Sequence, residues 1–374
     1  MKRKLIGITL IFLLIASMVL TGCSKNESAE TPVDSEENTE ENTEEAETSE
    51  EPAETEDAGS EETEGTEESE PVAPIDVNVM ALKGPTAMGM VQMMDAVDKG
   101  EISSNIYHFN LAASPDEVPP AIAQGTVDIA AVPANLASVL YNKTEGQVQV
   151  LAINTLGVLY IVENGETVKA VEDLKGRTIY ASGKGATPEF ALNYILKGNG
   201  IDPASDVTIE WKSEHAECLS ALMADESGIA MLPQPFVTTA QTKSDGLKVV
   251  LDLTEEWDKL QENEENSSAL ITGVVIARKA FIEENPNAVE DFLNHYYDSV
   301  LFVNSNVDEA ATLVGAYDIV PEEVAVKALP KCNITFVEGS DMEQQLSGYL
   351  AILAEGDPAS VGGEVPGDDF YYKK

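Results

Sequence analysis

Cysteine and histidine are scarce in this chain of 374 residues, which contains three of each. Disulfide frameworks and Cys/His metal clusters need more such residues at close spacing, so we expect neither a metal nor a cofactor. Basic residues are also few, with 22 Lys and Arg against 67 Asp and Glu. Nucleic-acid binding requires clustered positive charge, and we therefore expect no nucleic-acid partner.

Sequence motifs of catalysis are missing as well. The chain has no Gly-x-Ser-x-Gly turn, no phosphate-binding Lys loop and no His-Glu-x-x-His, the spacings that position nucleophiles, phosphates or metal ligands. His215 and Cys218 lie three residues apart on a predicted helix, but a metal site there would need further ligands. We expect no catalytic residues and infer that the protein is not an enzyme.

The chain has no hydrophobic run long enough for a comfortable membrane span. Its longest apolar stretch, residues 5–20, follows the basic residues Lys2, Arg3 and Lys4. This arrangement is typical of an export signal, which we assign to residues 1–22. The ending Leu20-Thr21-Gly22-Cys23 resembles a lipobox, so we expect Cys23 to carry a diacylglycerol whose two acyl chains anchor the protein to a membrane.

An acidic segment follows Cys23. Residues 24–72 contain 21 Asp and Glu but only one Lys, and almost no apolar side chains. Such a composition cannot offset the entropy lost on ordering. We therefore interpret residues 23–73 as a lipidated Cys with a disordered tether.

From about Pro74 onward, short apolar strand patterns alternate with helical patterns. Strands are predicted at 77–81, 106–111, 127–132 and 148–153, with helices at 88–97, 116–124 and 135–141. The pattern then restarts, with strands at 157–162, 178–181, 207–211, 229–232, 248–253 and 268–277 and helices at 168–174, 188–197, 216–224 and 237–242. Such alternation predicts α/β units with a mostly parallel sheet, and a mainly helical segment begins at Pro286.

These two α/β units predict a two-lobed domain in which residues 74–156 plus 270–374 form lobe I and residues 157–269 form lobe II. The chain would cross between the lobes twice, and we expect Thr155, Gly157 and Gly273 to act as a hinge. Cys218 and Cys332 lie far apart in the sequence, and whether they pair stays open, although we favour free thiols.

Ligands of open α/β sheets bind beyond the carboxyl ends of strands, near helix N-termini. Four predicted junctions of this kind contain candidate ligand-binding residues, two in each lobe. The candidates are Gly84, Pro85, Thr86, Pro133, Asn135, Lys184, Gly185, Ala186, Thr187, Gln234 and Phe236. Lys184 and the helix ends favour an anion, whereas Phe236 and the prolines would suit a heteroaromatic ring.

Several segments resemble ABC-transporter solute-binding proteins of the nitrate/sulfonate/taurine and thiamine-pyrimidine-precursor group, over about residues 75–340. They are Ala81-Leu-Lys-Gly-Pro-Thr86, Gly125-Thr-Val-Asp-Ile-Ala130, Val171-Glu-Asp-Leu-Lys-Gly176, Thr178-Ile-Tyr-Ala-Ser-Gly183 and Met231-Leu-Pro-Gln-Pro-Phe236. The resemblance implies the type II periplasmic-binding-protein fold and lobe closure on a solute. By position, the family's ligand loops fall on Gly84 to Thr86, Pro133 to Asn135, Gly185 to Thr187, and Gln234.

The resemblance implies a lipid-anchored protein on the outer face of the bacterial cytoplasmic membrane. It would deliver a small organic or oxyanion solute to the permease and ATPase subunits of an ABC importer, and we expect a monomer. Two alternatives stay open: a binding module that feeds a sensor, and a pyrimidine-forming enzyme of the same fold.

We expect Thr86→Ala or Thr187→Ala to weaken solute binding while the free energy of unfolding stays within about 1 kcal/mol of wild type, since each change removes at most a helix cap. Titration calorimetry and chemical denaturation measure the two quantities. Unchanged affinity in both variants would move the site elsewhere.

Overall fold

The structure is a computed structural model that describes residues 73–262 and 267–374. The predicted signal sequence, the lipidation site Cys23 and the acidic tether up to residue 72 lie outside these residues. None of the helices in the described ranges is long and apolar enough to cross a membrane.

Two sheets form the framework of the described residues. The strands are β1 (Asp76–Leu82), β2 (Ile106–Ala112), β3 (Ile129–Pro133), β4 (Val148–Leu156), β5 (Leu159–Asn164), β6 (Thr178–Ser182), β7 (Thr208–Lys212), β8 (Ile229–Pro233), β9 (Leu247–Asp252), β10 (Ile271–Arg278) and β11 (Ile334–Val337). The six-stranded sheet has the order β11-β4-β10-β3-β1-β2, and the five-stranded sheet has the order β7-β6-β8-β5-β9. We call the former with its helices lobe I and the latter with its helices lobe II.

The chain passes from lobe I to lobe II between β4 and β5, and it returns between β9 and β10. Two crossings and two α/β lobes are the predicted arrangement. Strand β10 lies inside its sheet, and six of its eight residues are buried, which explains the almost continuous apolar sequence Val-Val-Ile-Ala.

The prediction of mostly parallel sheets was wrong. Parallel pairing is confined to β1 with β2 and β3, and to β6 with β7 and β8. Strands β10, β11 and β5 pair with their neighbours in the antiparallel sense. Strands β5 and β10 follow the crossings, where the chain enters a sheet from the other lobe rather than through a helix on the same sheet.

Helices cover both sheets. They are α1 (Pro85–Met88), α2 (Val91–Asp98), α3 (Val118–Gln124), α4 (Ala134–Lys143), α5 (Thr187–Gly198), α6 (His215–Ala224), α7 (Phe236–Lys243), α8 (Leu253–Gln261), α9 (Lys279–Glu284), α10 (Pro286–Ser305), α11 (Val307–Ala316), α12 (Glu322–Ala328) and α13 (Gly339–Gly356). Short 3₁₀ turns occupy Pro115–Glu117, Val171–Leu174, Leu329–Lys331, Pro358–Val361 and Asp368–Phe370.

The helix predicted at 88–97 is two helices with a break at Gly89. The carbonyl of Gly89 accepts a hydrogen bond from Ser299 Oγ at 2.8 Å, and the same Oγ accepts one from the amide of Met93 at 3.1 Å. A serine of α10 thus replaces the helical bond that would have continued the turn. A Cβ on Gly89 would lie 3.1 Å from Ile334 Cγ2, so the close packing of α10 and β11 explains the break.

Three other elements differ from the sequence prediction. Residues 168–174 form only the 3₁₀ turn Val171–Leu174, the strand predicted to end at Leu253 stops at Asp252, and α8 begins there. The Asp252 carboxylate accepts from the amide of Thr254, which is a side-chain cap that favours a helix start. Strand β11 interrupts the segment predicted to be helical.

Helix α13 contributes to a core that both lobes share. Its residues Met342, Leu346, Leu350 and Leu353 are buried in one hydrophobic cluster with side chains from both sheets. Its Tyr349 lies against Trp257 of α8 in lobe II, with ring centroids 5.5 Å apart. The lobes are therefore connected by side-chain packing as well as by the two crossings.

The segment after α13, residues 357–372, lies across α4 and β4 of lobe I. Asn142 Nδ2 donates to the carbonyls of Val361 and Glu364, each at 2.7 Å, and Ser138 Oγ donates to Val361 at 2.7 Å. The amide of Tyr372 donates to the carbonyl of Val150 at 2.9 Å. We call residues 357–372 the C-terminal strap.

We expect Gly273→Ala to lower the free energy of unfolding by about 1–3 kcal/mol, because overpacking a filled site forces neighbours to move. A Cβ there would lie 2.6 Å from both Asn154 Oδ1 and Thr86 Cγ2. Gly356→Ala is the matched control, since nothing lies within 4 Å of its Cβ position, and it should stay within about 0.5 kcal/mol of wild type. Urea denaturation of both variants measures the difference, and equal stability would contradict the tight packing at Gly273.

Candidate ligand-binding cleft

Four of the strand-to-helix junctions contain the predicted ligand loops: those after β1 and β3 in lobe I, and those after β6 and β8 in lobe II. Helices α1, α4, α5 and α7 begin directly after these four strands. The two lobes touch, because Thr187 Oγ1 at the start of α5 lies 3.3 Å from Asn135 Oδ1 at the start of α4. The structure thus brings the β3–α4 and β6–α5 loops into contact, and we call this junction between the lobes the cleft.

The β1–α1 loop is held by its own lobe. Gly84 has a φ of 134°, which favours glycine, and Pro85 occupies the first turn of α1. Thr86 Oγ1 donates to the carbonyl of Leu82 at 2.8 Å, and the Thr86 carbonyl accepts from Asn154 Nδ2 at 3.4 Å. The hydroxyl proton of Thr86 is therefore used within the loop.

Asn135 is the second residue of α4, whose N-cap position is occupied by Pro133, and the Asn135 side chain is buried. Its Nδ2 donates to the carbonyl of Ser360 in the C-terminal strap at 3.4 Å. That bond turns the amide so that Oδ1 faces Thr187.

Gln234 lies between β8 and α7 with only 1% of its surface exposed. Its Oε1 accepts from the amide of Thr238 at 3.3 Å and from the Thr238 hydroxyl at 2.9 Å. Its Nε2 has no partner among the described residues. A buried amide donor without an acceptor costs free energy, and Gln234 has such an unpaired donor at the junction between β8 and α7.

His215 and Ser182 were not among the candidates from the sequence. His215 begins α6 after β7, its Nδ1 lies 2.5 Å from Ser182 Oγ, and its ring centroid is 5.1 Å from that of Phe236. The sequence signal that could have identified His215 was its position as a polar residue at a strand-to-helix junction. Because Cys218 lies three residues later, His215 was considered only as a possible metal ligand. No three His, Cys, Asp or Glu side chains of the described residues lie close enough to hold a metal ion.

Burial lowers the pKa of His215 to about 4, so the ring is neutral at pH 7. Burial also raises the pKa of the neighbouring Cys218 thiol, which contacts Ser182. An imidazole nitrogen accepts a hydrogen bond more strongly than sulfur does, so we assign the Ser182 proton to His215 Nδ1. Nε2 then carries a hydrogen, and it has no hydrogen-bond partner in the described part of the chain.

Lys184 does not join the other candidates. Its side chain is exposed and lines a groove with Pro203, Ile209 and Trp211. Gly185 follows with a φ of 77°, its amide donates to Glu189 Oε2 at 2.6 Å, and Ala186 caps α5. The β6–α5 loop therefore brings Thr187 rather than Lys184 to the cleft.

The predicted hinge residues lie beside the crossings. Thr155 pairs with Gly273 between β4 and β10, and the Leu156 carbonyl accepts from Thr272 Oγ1 at 2.6 Å. The Gly157 carbonyl accepts from Asn333 Nδ2 at 2.5 Å. Cys218 and Cys332 are both buried, free thiols.

A family model described as ABC transporter, phosphonate, periplasmic substrate-binding protein matches residues 103–313, which is more than half of the 374 residues. No curated protein matches the chain. The family match confirms the resemblance drawn from the sequence motifs.

Solved structures of similar fold include an ABC transporter from Parabacteroides distasonis, 22% identical with a TM-score of 0.66 over 80% of this chain and 99% of that one. The periplasmic aliphatic sulphonate binding protein SsuA from Escherichia coli is 15% identical, with a TM-score of 0.63 over 80% and 93%. The periplasmic nitrate-binding protein NrtA from Synechocystis PCC 6803 is 12% identical, with a TM-score of 0.53 over 71% and 74%. These likenesses confirm the two-lobed fold.

We expect the His215 ring to titrate with a midpoint near pH 4 in an NMR titration of the folded protein. Because this pKa is below the unfolded value of about 6.5, the unfolded state binds the extra proton first. His215 should therefore contribute stability above about pH 6.5 that is lost as the pH falls toward 4. In His215→Gln this part of the pH dependence should disappear, while the exposed His108→Gln serves as control, and a ring midpoint near 6.5 would contradict the burial argument.

Proposed function

Because the chain belongs to the family of phosphonate-type periplasmic substrate-binding proteins of ABC transporters, we propose that it captures a small organic oxyanion between its lobes. The proposed solute carries a phosphonate, sulfonate or similar group. The protein then delivers this solute to the permease and ATPase subunits of an ABC importer.

The free Nε2 of Gln234 is the observation that carries the oxyanion proposal. The Oε1 of this amide is occupied by Thr238, so the side chain can only donate toward the cleft. An oxyanion accepts hydrogen bonds without having to donate any, and it would relieve the cost of leaving this buried donor unpaired.

Two further features support the same ligand class. His215 offers a neutral Nε2–H donor, because its ring is uncharged at pH 7 and its Nδ1 accepts from Ser182. Helices α4 and α5 begin at the cleft, and the amides of a first helical turn are donors with a favourable dipole for an anion. Gly84, Pro85, Thr86, Pro133, Gly185 and Ala186 would shape the loops around the solute.

A solute with a heteroaromatic ring is the second candidate. The Phe236 ring is only partly buried and packs with the His215 ring at an interplanar angle of 50°. A planar ring would stack against this pair, with its own acceptor atoms directed at Gln234.

Transport requires the lobes to open and close. We assign lobe I to residues 74–156 plus 270–374 and lobe II to residues 157–269, with Thr155, Gly157 and Gly273 as the hinge. A solute that contacts both lobes binds the closed form better, and that difference in affinity shifts the population toward the closed form. The closed form is the one presented to the permease.

The location follows from the N-terminal sequence. Residues 1–22 direct export, Cys23 carries the lipid, and the acidic segment up to residue 73 is the spacer. The protein would thus work on the outer face of the bacterial cytoplasmic membrane, and we propose separately that it is a monomer.

The test is thermal unfolding of the purified protein with alkanesulfonates, alkylphosphonates, nitrate, and pyrimidine and thiamine precursors. A solute present at about 100 times its dissociation constant adds roughly 2.7 kcal/mol of stability, which is a shift of several degrees for a domain of this size. We expect the oxyanions to produce the shift. A shift with the ring compounds alone would favour the second candidate, and no shift with any compound would contradict both.

Gln234→Glu distinguishes the cleft from other sites. The new carboxylate would face the solute anion, and like charges in a buried site cost several kcal/mol, so the affinity should fall at least about 100-fold. Gln241→Glu adds the same charge on α7 where that helix faces α12, and it should bind like wild type. Equal loss in both variants would mean a general charge effect.

A further inference from the structure

A chain of hydrogen bonds crosses directly from one lobe to the other at the cleft. Tyr349 Oη of α13 lies 3.3 Å from Thr187 Oγ1, and Thr187 Oγ1 lies 3.3 Å from Asn135 Oδ1. Thr187 belongs to lobe II and Asn135 to lobe I. All three polar groups are buried, and Thr187 is only 2% exposed.

The direction of each bond follows from the donors available. Asn135 Nδ2 donates to the Ser360 carbonyl, so the amide presents its oxygen, an acceptor, to Thr187. The Thr187 hydroxyl therefore donates its single proton to Asn135. It can then only accept from Tyr349, whose hydroxyl is the donor.

This arrangement leaves the hydroxyls of Thr187 and Tyr349 with no proton to donate to a solute. The single proton of each hydroxyl is used within the chain, and Asn135 Nδ2 directs one of its two protons to the Ser360 carbonyl. Gln234 differs, because its Nε2 is free. The junction between the lobes therefore contains groups that bind each other and groups that have no partner.

Helix α13 is placed to hold the lobes together at this point. The Tyr349 side chain is fully buried and packs against Trp257 of lobe II, while the rest of the helix shares its core with both sheets. On another side, Tyr160 Oη of β5 donates to the carbonyl of Lys331 in lobe I at 3.1 Å.

We propose that Thr187, Asn135 and Tyr349 form an interlobe latch, which sets the ratio of closed to open protein without touching the solute. The role of closure in solute capture rests on the proposed function, whereas the latch itself does not need a solute. The oxygen–oxygen distances are longer than the roughly 2.8 Å usual for such bonds, as suits a contact that must break when the lobes separate.

The test measures closure without solute. Spin labels are attached to Asp116→Cys and Glu214→Cys, two exposed positions that follow β2 and β7, the outermost strands of their sheets. Cys218 and Cys332 are buried and can stay, while Cys23 is changed to Ser so that only the two introduced thiols are labelled. Pulsed electron spin resonance then gives the populations of short and long distances in the solute-free protein.

We expect Tyr349→Phe to lower the closed-to-open ratio about two- to threefold and Thr187→Val about fivefold, since they remove one and two modest hydrogen bonds. The double variant should be no worse than Thr187→Val, because both bonds are already lost there. Tyr107→Phe is the control: it removes a buried hydroxyl that bonds to Asp291 at 2.6 Å within lobe I, and it should leave the ratio unchanged.

Selectivity separates the latch from direct solute contact. Since the latch touches no solute, its variants should weaken ethanesulfonate and methylphosphonate by the same factor. A changed affinity ratio with an unaltered distance distribution would overturn the proposal, as would a wild-type distribution that neither variant shifts. If no compound of the thermal-unfolding series binds wild-type protein, the proposed function fails, while the solute-free distances still support or overturn the latch.

Discussion

Side-chain amides and hydroxyls are buried where the edges of two sheets meet, and each of them needs a hydrogen-bond partner there. Water satisfies such groups when the edges are apart. When the edges are together, the partners must come from the opposite lobe, from the C-terminal strap or from a bound molecule. Asn135 and Thr187 have the first two kinds of partner, and Gln234 has an unfilled donor. The arrangement of the cleft therefore follows from one requirement on buried polar atoms.

The contacts between the lobes and the unpaired donors contribute differently to the free energy of closure. In the mechanism that we propose, contacts between the lobes favour the closed form whatever solute is present, whereas the free donors favour only a solute with suitable acceptors. A protein that must release its cargo needs both contributions to stay small. Long hydrogen bonds in the interlobe latch, and donors that are neutral rather than cationic at Gln234 and His215, are consistent with modest contributions of each kind.

The sequence predicted most strands, the two crossings and the junctions where Thr86, Asn135, Thr187 and Gln234 lie, because apolar periodicity and strand-to-helix turns are local signals. It missed strand direction near the crossings and the break at Gly89, since both depend on neighbours distant in the chain. Lys184 looked like an anion ligand by its place in a loop, but the turn of that loop, which the sequence does not specify, leaves it in another groove. The sequence did not identify His215 as a candidate, because its position at the site is shown only by contacts with Ser182 and Phe236, which lie on other elements.

The C-terminal strap ties the last residues of the protein to strands and helices formed much earlier in the chain. Gln149 Nε2, for example, donates to the carbonyl of Asp369 across 220 residues, and the six-stranded sheet also needs β10 and β11 from beyond lobe II. Lobe II, in contrast, is built from one uninterrupted stretch. A polypeptide that emerges N-terminus first can therefore finish the second lobe before the first, and α4, with the cleft residue Asn135 at its start, gains its covering last. The Asn135 amide can therefore take up its orientation toward Thr187 only after the distant Ser360 has been synthesised.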